Sequence, residues 1–190
     1  MRAHVCPWWF AYTFDNPLRR LWHKPEQLLA PYVTEGMKVL DVGCGMGFFA
    51  IAMARMVGDS GEVIAADLQP RMFKTLCKRA HRAGVASRIR THPCQSRSMN
   101  LTEAIDFALL FWMAHEVPDP LHLFRELHSC LKPSGRLLLA EPAFHLSRTA
   151  FEREVQLAME AGFHPCDGPN VALSLAIWLE PTVPGDGSNP

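Results

Sequence analysis

The sequence has no surplus of either charge: Lys and Arg together number 19, and so do Asp and Glu. A balanced chain supplies no field with which to hold nucleic acid or an anionic membrane surface, so neither is expected as a partner. Cysteine is too sparse for a disulfide scaffold, with 6 in 190 residues, and there is no C-x-x-C pair or compact zinc spacing. No stretch approaches the roughly 18 consecutive apolar residues of a membrane-spanning helix, and no basic start leads into a signal-length apolar run. A membrane span and a metal centre are therefore not expected, and the reducing cytoplasm is the expected compartment. Linkers and internal repeats are also missing from the central region, which predicts one domain large enough to bury its own core.

What is present is an alternation. "MKVLDV" reads as a buried strand, and "GFFAIAMARMVG" has helical periodicity. "GEVIAAD" is a second strand, followed by a basic helix "PRMFKTLCKRAHRAG" that Pro70 opens and Gly84 closes. Shorter "RIRTH" and "AIDFALLF" supply two more strands, and Asp119 and Pro120 start the helix "DPLHLFRELHSCLK". "GRLLLAEP", the helix "SRTAFEREVQLAMEAG" and two last strands near "FHP" and "VALSLAIWLE" complete the series. The strands are continuously apolar, the mark of a sheet covered on both faces. The expected fold class is α/β: a Rossmann-like, doubly wound, mostly parallel seven-stranded sheet with an antiparallel last strand. Residues 1–35 form an expected aromatic arm with a helix around Pro25 to Tyr32, residues 36–180 the domain, and residues 181–190 a disordered tail.

Three glycines crowd the exit of the first strand in "VLDVGCGMGFF", spaced Gly43-x-Gly45-x-Gly47. This differs from the G-x-G-x-x-G of dinucleotide sites. It suits a ligand that needs close backbone approach, with the following helix N-terminus facing a small anion such as a carboxylate. Asp67 ends the second strand, where an acceptor-only carboxylate can take two hydrogen bonds from adjacent ribose hydroxyls. Leu68 beside it is placed to lie on a base. Asp41, inside an apolar strand, needs hydrogen bonds to be buried.

"VLDVGCGMG", "VIAADLQPRM", "DFALLFWMAHEVPDP" and "LKPSGRLLLAEP", in that order, resemble the class I S-adenosylmethionine-dependent methyltransferases. The likeness is to the branch holding the quinone-biosynthesis and arsenite methyltransferases. It implies an enzyme with S-adenosylmethionine as cofactor. Asp41, Gly43, Cys44, Gly45 and Gly47 would surround the methionine part, Asp67 would bind ribose and Leu68 would pack on adenine. Relatives place an aspartate on the adenine amino group; here the matching stretch is "CQS", so Gln95 and the Ser96 amide take that place. Phe111, closing the fourth strand, would lie beside the cofactor.

A sulfonium methyl is already activated, so the protein has mainly to align the acceptor and exclude water. A base is needed only where the nucleophile must lose a proton. His115, after the fourth strand, is either that base (or a substrate ligand) or a packing histidine; Glu116 beside it lines the same rim, and Glu141 is equally open. Trp8, Trp9 and Tyr12 in the arm either close the site as a lid, with rings facing the sulfonium, or pack on the sheet edge. Four H-x-C pairs, at His4/Cys6, His92/Cys94, His128/Cys130 and His164/Cys166, exceed the roughly 0.3 that composition predicts. His128 and Cys130 on a helix cannot face one target. The expected function is methyl transfer to a small molecule in a small apolar pocket. The alternatives are a thiol-dependent, arsenite-type methyltransferase and a cofactor-binding partner without catalysis.

Overall fold

The computed structural model describes residues 19–182. Seven strands form one sheet in the order β3-β2-β1-β4-β5-β7-β6. These are β1 Lys38–Val42, β2 Glu62–Asp67, β3 Ile89–Pro93, β4 Ile105–Phe111, β5 Leu131–Pro142, β6 Phe163–Cys166 and β7 Ser174–Pro181. Strands β1 to β5 are mutually parallel, and β7 runs antiparallel to both β5 and β6. The helices between them are α3 Phe48–Met56, α4 Pro70–Arg82, α5 Pro120–Cys130 and α6 Arg148–Glu160, with α1 Arg19–Trp22 and α2 Pro25–Leu29 preceding the sheet. This is the expected seven-stranded Rossmann-like fold.

Alternate residues of each strand feed two cores, one per face. From β1, Val39 joins Phe49, Met53 and Trp178 on one side. Leu40 and Val42 join Ile64, Phe124 and Leu127 on the other. Helix stops match their sequence signals: Gly84 and Gly162 follow α4 and α6 with φ of +70° and +100°. Asp119 caps α5 by accepting from the His122 N–H at 3.0 Å, and Ser147 caps α6 through the Ala150 N–H at 3.2 Å.

Two element boundaries, those of α2 and β5, differ from the sequence reading. Of the expected arm over residues 1–35, residues 1–18, with Trp8, Trp9 and Tyr12, lie outside the described residues, and several side chains of the remainder join the core. Leu29 and Val33 are in the core, and the Tyr32 ring lies 4.0 Å from that of Trp178. α2 also stops at Leu29, where the N–H groups of Tyr32 and Val33 turn back onto its carbonyl at 2.9 Å each. Strand β5 starts at Leu131, ahead of its expected "GRLLLAEP", because Leu131 pairs with Ile105 before a register shift between Ile105 and Phe107.

The strand order reverses across β1, whose neighbours β2 and β4 lead to opposite halves of the sheet. The carboxyl ends of strands diverge there, which opens a crevice.

Candidate active site

That crevice is a cleft of about 580 Å³ lined by the glycine loop, the ends of β2 and β4, and Phe48, Gln95, Trp112, His115 and Phe144 among others. The loop is pinned to β2: the N–H groups of Gly43 and Cys44 both donate to the Ala66 carbonyl, at 2.9 and 3.0 Å. All three loop glycines have positive φ, but they answer to different constraints. A Cβ at Gly47 would sit 2.9 Å from Leu76 Cγ, and one at Gly43 would sit 3.0 Å from Met113 Cγ. These two are bare because the protein itself packs against them. Gly45 has nothing within 4 Å of such a Cβ, so at this position an outside molecule can approach the backbone.

Asp67 is 8% exposed and ties the loop to the turn after β2. Its Oδ2 accepts from the Gly45 N–H at 2.9 Å and its Oδ1 from the Gln69 N–H at 2.8 Å. Burial raises its pKa, with the Gln69, Gly45 and Leu68 N–H groups pulling it back. Each oxygen retains lone-pair capacity for a further donor. Leu68, an exposed apolar side chain, also faces the cleft.

Asp41 is buried, and its Oδ2 has no hydrogen-bond partner. Burial first, and then the charge of Asp67, push it up to about 7; the Ala50 N–H and Arg19 oppose the rise. An unpartnered buried carboxyl oxygen beside an open backbone is an acceptor that suits an ammonium group. Cys44 is buried too, and desolvation followed by Asp41 and Asp67 holds its thiol well above the usual range. It packs as a small apolar residue.

On the opposite side Gln95 and Ser98 close a tight turn, with Gln95 N–H to Ser98 O at 2.9 Å. The Glu126 carboxylate of α5 holds this turn, accepting from Ser98 Oγ and from the Met99 N–H at 2.9 Å. Gln95 and Ser96 are exposed on the cleft wall. The role of Glu126 had no local signal, since it depends on α5 returning beside the turn that follows β3.

Phe111 lies on the cleft floor with its ring 4.4 Å from Phe49 and 5.5 Å from Trp112. The Arg19 guanidinium sits over the rings of Phe48, Phe49, Phe111 and Trp112, 4.6 to 5.6 Å from their centroids. His23 braces the same wall: its Nε2 meets the Ala172 carbonyl at 2.9 Å and its ring is edge-on to Phe111 and Trp112. Trp112 itself has a φ of +60°, a strained conformation for a bulky residue. The sequence reading did not select Arg19, His23 or Trp112, although a basic pair among aromatics was a usable hint.

At the far rim His115 Nδ1 hydrogen-bonds Glu141 Oε2, and Glu141 Oε1 accepts from the Ala114 N–H at 2.7 Å. Glu141 is fully buried at the end of β5. Burial disfavours the imidazolium of His115, but the Glu141 carboxylate outweighs it, with Glu116 and Glu154 adding, so the His115 pKa is raised. A histidine held by a carboxylate through Nδ1 in this way can take a proton at Nε2. Glu116 lines the cleft beside it.

The three histidine–cysteine pairs among the described residues do not converge. Cys94 follows β3 and Cys166 ends β6, the strands at the two opposite edges of the sheet. His128 and Cys130 lie on α5, where Cys130 Sγ donates to the Leu101 carbonyl at 2.9 Å inside the core. His4 and Cys6 lie outside the described residues, among which no three His, Cys, Asp or Glu side chains come together as a metal site.

A doubly wound sheet with a glycine loop at its switch point and an acid ending β2 defines a nucleoside-cofactor site. Residues 39–135 match the family described as methyltransferase domain. A ubiquinone biosynthesis O-methyltransferase of Xanthomonas axonopodis pv. citri is 31% identical over 180 residues, covering 90% of this chain and 73% of the relative. Among solved structures, a SAM-dependent methyltransferase from Aquifex aeolicus superimposes with a TM-score of 0.81 at 22% identity, covering 93% of this chain and 98% of that one. Aeropyrum pernix fibrillarin with natively bound S-adenosyl-L-methionine has a TM-score of 0.63 at 18% identity, covering 78% and 68%. The chain belongs to the class I S-adenosylmethionine-dependent methyltransferases: it is a methyltransferase, and S-adenosylmethionine is its cofactor. No helix among the described residues is long and apolar enough to cross a membrane.

Proposed function

We propose that this methyltransferase methylates a hydroxyl oxygen on a small aromatic molecule, with His115 as the base that takes the hydroxyl proton. The observation that carries the reading is the His115–Glu141 pair at the rim of the cleft. Thiols and trivalent arsenic are nucleophiles that need little help, whereas a phenolic hydroxyl has a pKa of about 10 and has to be relieved of its proton. The aromatic floor of Phe49, Phe111 and Trp112 suits a flat ring. The relatives named O-methyltransferases point the same way.

S-Adenosylmethionine supplies an electrophilic methyl group on a sulfonium. Asp41 Oδ2 takes its ammonium, and the open face of Gly45 with its neighbours Gly43, Cys44 and Gly47 receives the methionine part. Asp67 takes the ribose hydroxyls, Leu68 lies on adenine, and Gln95 with the Ser96 amide reads the adenine edge. Phe111 covers the sulfonium side. His115 receives the acceptor proton at Nε2, while Glu141 holds Nδ1 and steadies the imidazolium. Arg19 and Glu116 line the cleft, and the proposed lid of Trp8, Trp9 and Tyr12 lies outside the described residues; its role would be to exclude water.

The test is a labelled-methyl assay over phenols, thiols, amines and arsenite, with wild type and His115→Ala. A phenol is the expected acceptor, with kcat falling about 10²–10⁴-fold in the variant and S-adenosylhomocysteine affinity unchanged. Wild-type turnover rises with pH through a midpoint above that of an ordinary imidazole, because only the neutral ring is a base and Glu141 holds the proton on. Transfer to arsenite alone, or full activity without the imidazole, overturns the reading.

A further inference from the structure

We propose that Glu126, on α5, is a positioning residue for the cofactor's base: by fixing the turn over residues 95–98 it makes the Ser96 N–H the donor that separates adenine from a 6-oxopurine. The inference rests on Gln95 and the Ser96 amide meeting the adenine edge, and a Gln95 variant tests that contact separately.

Three donors from successive residues converge on the Glu126 carboxylate. Oε1 accepts from Ser98 Oγ and from the Asn100 N–H at 3.4 Å, and Oε2 accepts from the Met99 N–H at 2.9 Å. The turn is anchored at both ends. Upstream, the Cys94 N–H is fixed to the Asp67 carbonyl at 2.9 Å. Downstream, Met99 is buried and its carbonyl meets His92 Nε2 at 2.6 Å. Between these anchors the backbone bonds run inside the turn, from Gln95 N–H to Ser98 O at 2.9 Å and from Ser98 N–H to Gln95 O at 3.3 Å. Among the described residues, Glu126 is the side chain from another element that grips it. No hydrogen bond among them uses the N–H of Ser96, and Gln95, Ser96 and Glu126 all line the cleft.

An adenine edge offers a donor at N6 and an acceptor at N1. A 6-oxopurine offers the reverse, an acceptor at O6 and a donor at N1. The Gln95 amide carries both an oxygen and an NH₂ group, so by turning over it meets either pattern. A backbone N–H has no such freedom: it matches adenine N1 and opposes the N1–H of hypoxanthine. An acceptor-only aspartate at position 95 would reject the 6-oxopurine by itself. With Gln95 in place the discrimination passes to the Ser96 N–H, whose direction the turn sets. A mispaired donor costs binding energy only where it cannot swing away. Selectivity for the base therefore depends on the clamp from α5. Three donors already occupy the two Glu126 oxygens, so it acts on the base through the turn.

The experiment is calorimetry of the full chain with S-adenosylhomocysteine and S-inosylhomocysteine, in wild type, Glu126→Gln, Glu126→Ala and Gln95→Ala, joined to amide hydrogen exchange over residues 95–100. Wild type is expected to prefer the adenosyl compound about 10–100-fold. In Glu126→Ala that ratio should fall about tenfold, with faster exchange across the turn. Glu126→Gln keeps one acceptor oxygen and should lie between, and it decides the matter if the alanine variant does not fold. Gln95→Ala should weaken both compounds alike and keep the ratio. A merely structural Glu126 would lower Tm and the two affinities equally, so an unchanged ratio overturns the proposal. A fallen ratio with unchanged exchange also overturns it, because Glu126 would then touch the base directly. Unchanged affinity for both compounds in Gln95→Ala overturns the adenine placement instead.

Discussion

Replacing Asp41 by Asn should make the protein more stable at alkaline pH and worse at holding its cofactor. Asp41 is 3% exposed at the floor of the cleft, and its pKa stands at about 7 against an ordinary value of 3.8. A raised folded-state pKa means that the folded chain binds the proton more tightly than the unfolded chain. Stability from this group is therefore intact below the ordinary value, falls as pH rises from 3.8 to about 7, and is level beyond. At 1.36 kcal/mol per pKa unit, that range corresponds to about 4 kcal/mol of destabilisation at pH 8. Asn removes this pH-dependent loss and leaves its own amide short of a partner at the Oδ2 position, which costs about 1–3 kcal/mol. A net gain of about 1–3 kcal/mol at pH 8 and a net loss at pH 4 follow, read as roughly 2–4 °C in Tm per kcal/mol for a chain of this size. Glu154 also destabilises the fold as pH rises, but it is common to both proteins and cancels in their difference. The assay is thermal unfolding of wild type and Asp41→Asn from pH 4 to 8, paired with calorimetry against S-adenosylhomocysteine. A constant Tm difference across that range refutes the buried-acid account. Unchanged affinity in the variant refutes contact with the ammonium.

Asp67→Ala leaves the Gly45 and Gln69 N–H groups without the acceptors now at 2.9 and 2.8 Å and removes the proposed ribose contact. Calorimetry should show affinity for S-adenosylhomocysteine falling about 10–150-fold, the equivalent of 1.5–3 kcal/mol for a hydrogen bond to a charged group; retained affinity would mean the ribose lies elsewhere. Two glycine substitutions separate fold from ligand. Gly47→Ala combines a φ of +87° with a methyl 2.9 Å from Leu76 Cγ, and denaturant unfolding should show about 2 kcal/mol lost. Gly45→Ala meets open space and should lose only about 1–2 kcal/mol of stability while its methyl group obstructs the cofactor; equal effects of the two variants on binding would contradict the distinction.

The glycine loop, Asp67 and the order of strands were legible in the sequence because each is a local pattern. Val39 to Phe49 states its own turn, and Asp67 ends a strand whose apolar run is visible without knowledge of its partners. The placement of the cleft follows from the alternation too, since a parallel sheet with a reversal opens at its carboxyl ends. The reasons for single residues were less visible. The three loop glycines look alike in sequence, but Leu76 and Met113, distant in the chain, account for Gly47 and Gly43. The excess of histidine–cysteine pairs was a real feature of the text, and its three described members share no common place in the fold.

Local patterning thus defined a doubly wound methyltransferase and the glycine loop at its switch point, since strand, helix and turn preferences act over a few residues. The His115–Glu141 pair came only with the tertiary structure. His115 and Glu141 are 26 residues apart in sequence, and they meet because β4 and β5 pair in parallel. The same long-range packing set Arg19 over the aromatic floor and sent Cys94 and Cys166 to opposite edges of the sheet. The proton affinities of the site belong to that second level, because desolvation and facing charges exist only once the chain has closed around them.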